Sequence, residues 1–248
     1  MARPLKRHVQ QGFTFSTRGG KRAGAGRPPR GPRSSERHKR RAAIKRHHPL
    51  HITLRVAKDV GTLRRRLAYH AFRRAMVTAI AKHADFRIVH ISFQRTHVHL
   101  IVEAESKRAL AKGMQGFQIS AARHINVAIS KESTAPRCGA VFPDRYHARA
   151  LTSPKAVRHA INYVLNNWRR HDEDRSKRSR QVDPYSSGVN FSGWRELEDS
   201  PFLFPVPDGF SRLTTSMPRT WLLQKGWQIH GLVSVRERPG PDAKRAVA

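Results

Sequence analysis

The chain has 248 residues, with 49 Lys and Arg against 17 Asp and Glu and a formal net charge of +32. That length suits one domain with extensions or two small ones. A charge of that size repels itself unless a polyanion is near, so nucleic acid is the default partner. No apolar run approaches the ~18 residues of a spanning helix and no secretory apolar segment opens the chain, so no membrane partner is expected. Cys138, the single cysteine, excludes an intrachain disulfide and a cysteine-built zinc site, and a reducing cytoplasm is the expected home.

Residues 1–48 are dense in Arg and Lys, with Glu36 the only acid, and Gly and Pro crowd the stretch from Gly19 to Pro32. Such a segment buries too little apolar surface to offset its ordering entropy and is expected to be a disordered basic arm. Gly26-Arg27-Pro28 has the form of an AT-hook core, which lays its arginine in a narrow minor groove. A tail that binds by releasing counterions is the plainer reading.

Apolar patterning begins at Pro49. His51 to Val56 alternates and is rich in β-formers, which predicts a strand. From Gly61 to His83, Leu63, Leu67, Ala71, Ala75 and Ala79 recur every four residues, which predicts a helix with Arg64, Arg65 and Arg66 on its solvated side. Phe86 to Gln94 and Thr96 to Ala104 predict two strands, so close in sequence that they form a hairpin. Leu110 to Ile129 is helical in pattern, with Gly113 and Gly116 as weak points. Val141 to Leu151 predicts a fourth strand carrying Arg145, Tyr146, His147 and Arg149.

The last helix has clear start signals, since Ser153 can cap its free amides and Pro154 fits its first turn. Val157, Ile161, Val164 or Leu165, and Trp168 form one stripe, and His159, Tyr163, Asn167 and Arg170 a second. The order strand, helix, strand, strand, helix, strand, with an added helix, predicts an α+β fold. Its ferredoxin-like antiparallel sheet carries helices on one face and leaves the other partly open. This domain spans residues 49–171. Residues 172–248 are an irregular, aromatic C-terminal extension, with Trp194, Trp221 and Trp227 expected in its packing and the chain frayed from about Glu237.

Within Thr96-His97-Val98-His99-Leu100-Ile101-Val102, a strand places His97 and His99 on one face, roughly 7 Å apart. Val98, Leu100 and Val102 then face the core. Both imidazoles can reach one divalent ion, Tyr163 can serve as nucleophile on a phosphodiester, and Asn167, one turn later, can complete the metal site; Asn166 is the alternative if the helix is rotated. Glu103 continues the histidine face and could stand behind the ligands. Arg145 and Arg149 suit phosphate contacts, and Tyr146 either stacks on a base or packs. Ligand softness alone favours zinc, nickel or manganese. The plain alternative is a structural His-x-His strand and a packing tyrosine in a basic coat protein.

These residues carry a specific resemblance. His97-Val98-His99 resembles the His-hydrophobe-His signature of HUH nucleases. The stretch Ala160 to Asn167 resembles the tyrosine helix of single-tyrosine transposases, the insertion-sequence-200-like and REP-associated enzymes. Asp144-Arg145-Tyr146-His147 and the early Gly-Ala-Gly-Arg-Pro run are similar to that group as well. Asn167-Trp168 stands where many REP-type members have Asn-Pro. The resemblance implies a DNA transposase that cleaves and rejoins single-stranded or hairpin DNA through a 5′-phosphotyrosine on Tyr163. It implies Mg²⁺ or Mn²⁺ held by His97, His99 and Asn167. It also implies a cytoplasmic, nucleoid-associated protein acting as a monomer or as a homodimer that exchanges tyrosine helices. The alternative function is a catalytically inactive nucleic-acid-binding protein.

Overall fold

The computed structural model describes residues 43–133, 135–174, 181–200 and 202–240, all within the unit that begins at Arg40. The arm that carries Arg27 lies outside the described residues. Eight regular elements follow in order: β1 (Leu50–Arg55), α1 (Arg66–Lys82), β2 (Phe86–Phe93), β3 (His97–Ala104), α2 (Lys107–Ser130), β4 (His147–Ala150), α3 (Pro154–Arg170) and the short α4 (Trp221–Gln224). The sheet order is β2-β3-β1-β4, every pairing antiparallel, which is the ferredoxin-like arrangement the element order predicts.

Strand period sorts the side chains of β1 and β3 onto two faces. Ile52 and Leu54 of β1 and Val98, Leu100 and Val102 of β3 join Phe72, Met76 and Phe117 of α1 and α2 in the main core. The interval from Gly113 to Phe86 explains a glycine inside α2: a Cβ there would lie 2.2 Å from the Phe86 ring. What reads from sequence as a weak point is a site where the helix lies close against the Phe86 ring of β2. Tyr146 is buried in this same core, so its ring packs and is withdrawn from base stacking.

The opposite face is not left open. α3 covers it, setting Val157, Ile161, Val164 and Leu165 against Ile101 and Val89, together with Trp194, Trp227 and Val233 of the C-terminal extension. A register shift between Ile88 and His90 turns Val89 toward this second core. α3 is built as its sequence predicts: Ser153 Oγ accepts from the Ala156 amide at 3.2 Å, and Pro154 occupies the first turn. α1 begins at Arg66, later than the pattern suggests, after a 3-10 turn over Lys58–Val60. The chain before it holds Arg64 inward, where its guanidinium grips Asp183 at 2.9 and 3.0 Å. Arg64 is therefore an internal anchor for the extension and not a solvated charge. Trp221 is the exception among the tryptophans and lies exposed.

Glu103 departs from its expected place behind the ligands. Its carboxylate is fully buried and accepts from Arg87 Nε at 2.9 Å, from the Arg219 amide at 2.9 and 3.1 Å, and from the Thr220 amide at 2.8 Å. Both oxygens are committed about 13 Å along the strand from His99. Glu103 thus ties the extension to the sheet. Glu103→Ala leaves Arg87 with only the exposed Glu105 carboxylate, at 3.0 Å, and strands two amides in a dry setting; we expect it to cost about 3–5 kcal/mol, read as a lowered midpoint in urea unfolding.

Candidate functional site

The site lies on the α3 face of the sheet, where β1 and β3 are neighbours and the register places Thr53 opposite His99 and Arg55 opposite His97. His97, His99, His51, Thr53 and Arg55 therefore share one face. The rings of His97 and His99 are 4.7 Å apart by centroid. His51 stands beside them: its Nε2 is 3.2 Å from His99 Nδ1, and Thr53 Oγ1 is 3.3 Å from that same nitrogen.

α3 delivers the phenol. The Tyr163 ring stands edge-on to His99 at 5.0 Å and to His51 at 5.6 Å, and the residue is half-buried. One turn later Asn167 is completely buried. One turn later again, His171 brings its ring within 6.2 Å of His97. Asn167 is thus bracketed along the helix by two residues that meet the histidine pair. Neither Oδ1 nor Nδ2 of Asn167 has a hydrogen-bond partner, and His99 Nε2 has none either. Unpaired buried polar groups cost about 1–3 kcal/mol each and call for an explanation. A divalent ion accepting lone pairs from His97, His99 and Asn167 supplies one, so the donor set fits a metal. Among the described residues, no three His, Cys, Asp or Glu side chains are placed to hold an ion; the third donor here is an amide.

Asn166, the alternative ligand, is spent elsewhere. Its Nδ2 donates to Asn162 Oδ1 and to the Ser234 carbonyl, each at 2.9 Å. These bonds belong to a third stripe of α3. Arg158 donates to the Gly231 and Leu232 carbonyls at 3.2 and 3.0 Å, Arg169 Nε to the Val235 carbonyl at 2.5 Å, and Asn162 to Glu237 at 2.8 Å. Arg158 also pairs with the Glu237 carboxylate at 2.6 and 2.8 Å, so the chain at Glu237 is pinned rather than frayed.

Burial sets the protonation of the cluster. It pushes His99 down to about 2, assisted by the neighbouring charges of His51, His97 and His171. It pushes His51 down to about 4, with His147 and Arg149 adding to the effect, and it lowers His97 as well. All three are neutral at pH 7, the form that offers a lone pair to a metal. Beside Tyr163 opens a cleft of about 600 Å³ lined by His51, Arg149, Ala156, His159 and Tyr163. Arg149 and Arg145 are exposed, Arg149 on the edge strand facing His51. Sequence reading missed His51, Thr53 and His171. The alternation of His51, Thr53 and Arg55 with Ile52, Leu54 and Val56 was the available signal for the first two.

Residues 46–167 match the model of the family described as "Transposase IS200 like". Over this stretch, about half of the chain, the sequence is similar to that family, and the matched residues contain His97, His99, Tyr163 and Asn167. Among solved structures, a REP-associated tyrosine transposase bound to a REP hairpin is 15% identical, with a TM-score of 0.47, covering 73% of this chain and 98% of that one. A bacterial tRNA(His) guanylyltransferase-like protein in complex with GTP is 13% identical, with a TM-score of 0.38, covering 56% and 68%. The chain has no match among curated protein sequences. Among its described residues no helix is long and apolar enough to cross a membrane.

The neutral cluster has a pH signature. The folded values of His51 and His99, and the value of about 4 that burial gives His90, lie below histidine's ordinary 6.5. Below about pH 6.5 the unfolded chain takes up protons that the folded chain refuses, so this contribution is complete above 6.5 and lost as the pH falls toward 4. Urea unfolding of the metal-free protein should show stability falling from pH 7 to 5, with a shallower slope in His51→Phe. Equal slopes would mean that His51 is not held neutral.

Proposed function

We propose that the protein is a DNA transposase that cuts and rejoins single-stranded DNA through Tyr163. The phenol oxygen attacks the scissile phosphorus and forms a P–O bond to the tyrosine. The bond to the 3′ oxygen breaks, and that oxygen takes up a proton while the phenol releases one to water. The phosphate keeps its ester energy in the 5′-phosphotyrosine, so a 3′-hydroxyl can reverse the step and join a new strand without ATP.

The observation that carries this reading is the half-buried phenol edge-on to His99, with two unpaired buried donors, His99 Nε2 and the Asn167 amide, beside it. His97, His99 and Asn167 are the residues that would hold Mg²⁺ or Mn²⁺, which when bound neutralises charge on the phosphate oxygens and aligns them. Arg149 and Arg145 hold flanking phosphates, and Arg149 does so at the mouth of the cleft beside Tyr163. The high positive charge adds affinity for any DNA, folded hairpins included. Work on chromosomal DNA places the protein in the cytoplasm, on the nucleoid.

The test is a 3′-labelled single strand, with and without a hairpin, incubated with Mg²⁺ or Mn²⁺. The wild type should form a covalent adduct that EDTA prevents. Tyr163→Phe should bind the same DNA and form none. An adduct that persists in this variant moves the nucleophile elsewhere. Tight binding without cleavage by the wild type, unaltered in His97→Ala, favours an inactive binding protein.

A further inference from the structure

His51 is used neither as nucleophile nor as ligand, yet it sits at the centre of the cluster. It touches His99 by hydrogen bond and Tyr163 by ring contact. We infer that His51 is a positioning residue that fixes the proton of His99 on Nδ1 and so leaves the Nε2 lone pair free for the metal. This rests on the metal reading of His97, His99 and Asn167.

The argument is one of donors and acceptors. A neutral imidazole carries one N–H and one lone pair, and the nitrogen that binds a metal must be the lone-pair one. In His99 the nitrogen without a protein partner is Nε2. Nδ1 faces two groups, His51 Nε2 at 3.2 Å and Thr53 Oγ1 at 3.3 Å. With the proton on His99 Nδ1, His51 Nε2 accepts it, and His51 carries its own proton on Nδ1. With the opposite assignment, His51 Nε2–H would donate to His99 Nδ1, and the proton on His99 Nε2 would block the metal.

The two arrangements differ in what they leave unmet. The first leaves a free lone pair on Nε2 of a residue only 3% exposed, ready for an ion. The second buries an Nε2–H that has no protein acceptor within hydrogen-bond reach. Thr53 alone cannot decide between them, because a hydroxyl donates or accepts equally well. His51 is held in its pose by the pairing of β1 with both β3 and β4, opposite Ile101 on one side and Arg149 on the other. Metal-ligating histidines generally direct their second nitrogen to such an outer partner, commonly a carboxylate or a carbonyl; here that partner is another imidazole.

The test uses the full-length protein and two readouts that do not depend on cleavage. Nitrogen-15 NMR of the ring nitrogens should find His99 with its proton on Nδ1 in the metal-free wild type. Mn²⁺ titration followed by electron paramagnetic resonance should find affinity reduced about 10–100-fold in His51→Phe. His51→Gln keeps an acceptor in reach and should recover most of it. A wild-type His99 protonated on Nε2, or a His51→Phe variant that binds Mn²⁺ as the wild type does, overturns the proposal. Failure of the metal reading looks different: the wild type itself would bind no Mn²⁺ and His97→Ala would change nothing, while the NMR measurement would still locate the proton.

Discussion

The rotation of α3 about its own axis is the constraint on which the site depends. Successive residues of a helix step by about 100°, so turning α3 by one residue would carry Tyr163 away from the histidines. Two stripes prevent it. Val157, Ile161, Val164 and Leu165 are buried against the sheet and the extension. Arg158, Asn162, Asn166 and Arg169 are bonded to carbonyls from Gly231 to Val235 and to Glu237. What remains is the stripe of His159, Tyr163 and Asn167, which has only the site to face. Asn166 and Asn167 show the result: two adjacent buried amides, one satisfied by the clamp and the other left without a protein partner.

The sheet has divided its labour by face. Its α1/α2 face is wholly hydrocarbon, where dispersion and the hydrophobic effect act together. The other face carries polar side chains on two adjacent central strands, whose hydrogen-bonded pairing on both sides gives the imidazoles a stiff support. Burial that would be a cost for a charged group is an advantage for these, because it keeps them neutral and available as ligands.

The positive charge has also been divided. Arg64, Arg87 and Arg158 are spent on Asp183, Glu103 and Glu237; the first and third pairs draw the C-terminal extension onto the domain, and the second, between β2 and β3, holds the carboxylate that the extension's amides bind. Since removal of one partner from such a pair leaves the other uncompensated, these arginines are structural although they look like DNA-binding charge. Arg149, on the edge strand beside the cleft, is placed for phosphate. Composition alone could not separate the two groups.

The sequence by itself determined the order and type of the main elements, the faces of β3, and the start of α3, because these follow from local periodicities and from one capping residue. It also singled out His97, His99, Tyr163 and Asn167 as candidates, through their spacing on a strand and a helix, and the structure brings the rings of the first three together. Only the tertiary structure decided which face α3 covers, that Tyr146 and Glu103 turn to packing and anchoring, and that His51 joins the cluster. Those outcomes depend on partners distant in sequence: Glu103 on the amides at 219 and 220, Asn166 on the carbonyl at 234, and His51 on a ring forty-eight residues away. A pattern along the chain reports which face a residue occupies, while what meets that face is set by how separate elements pack.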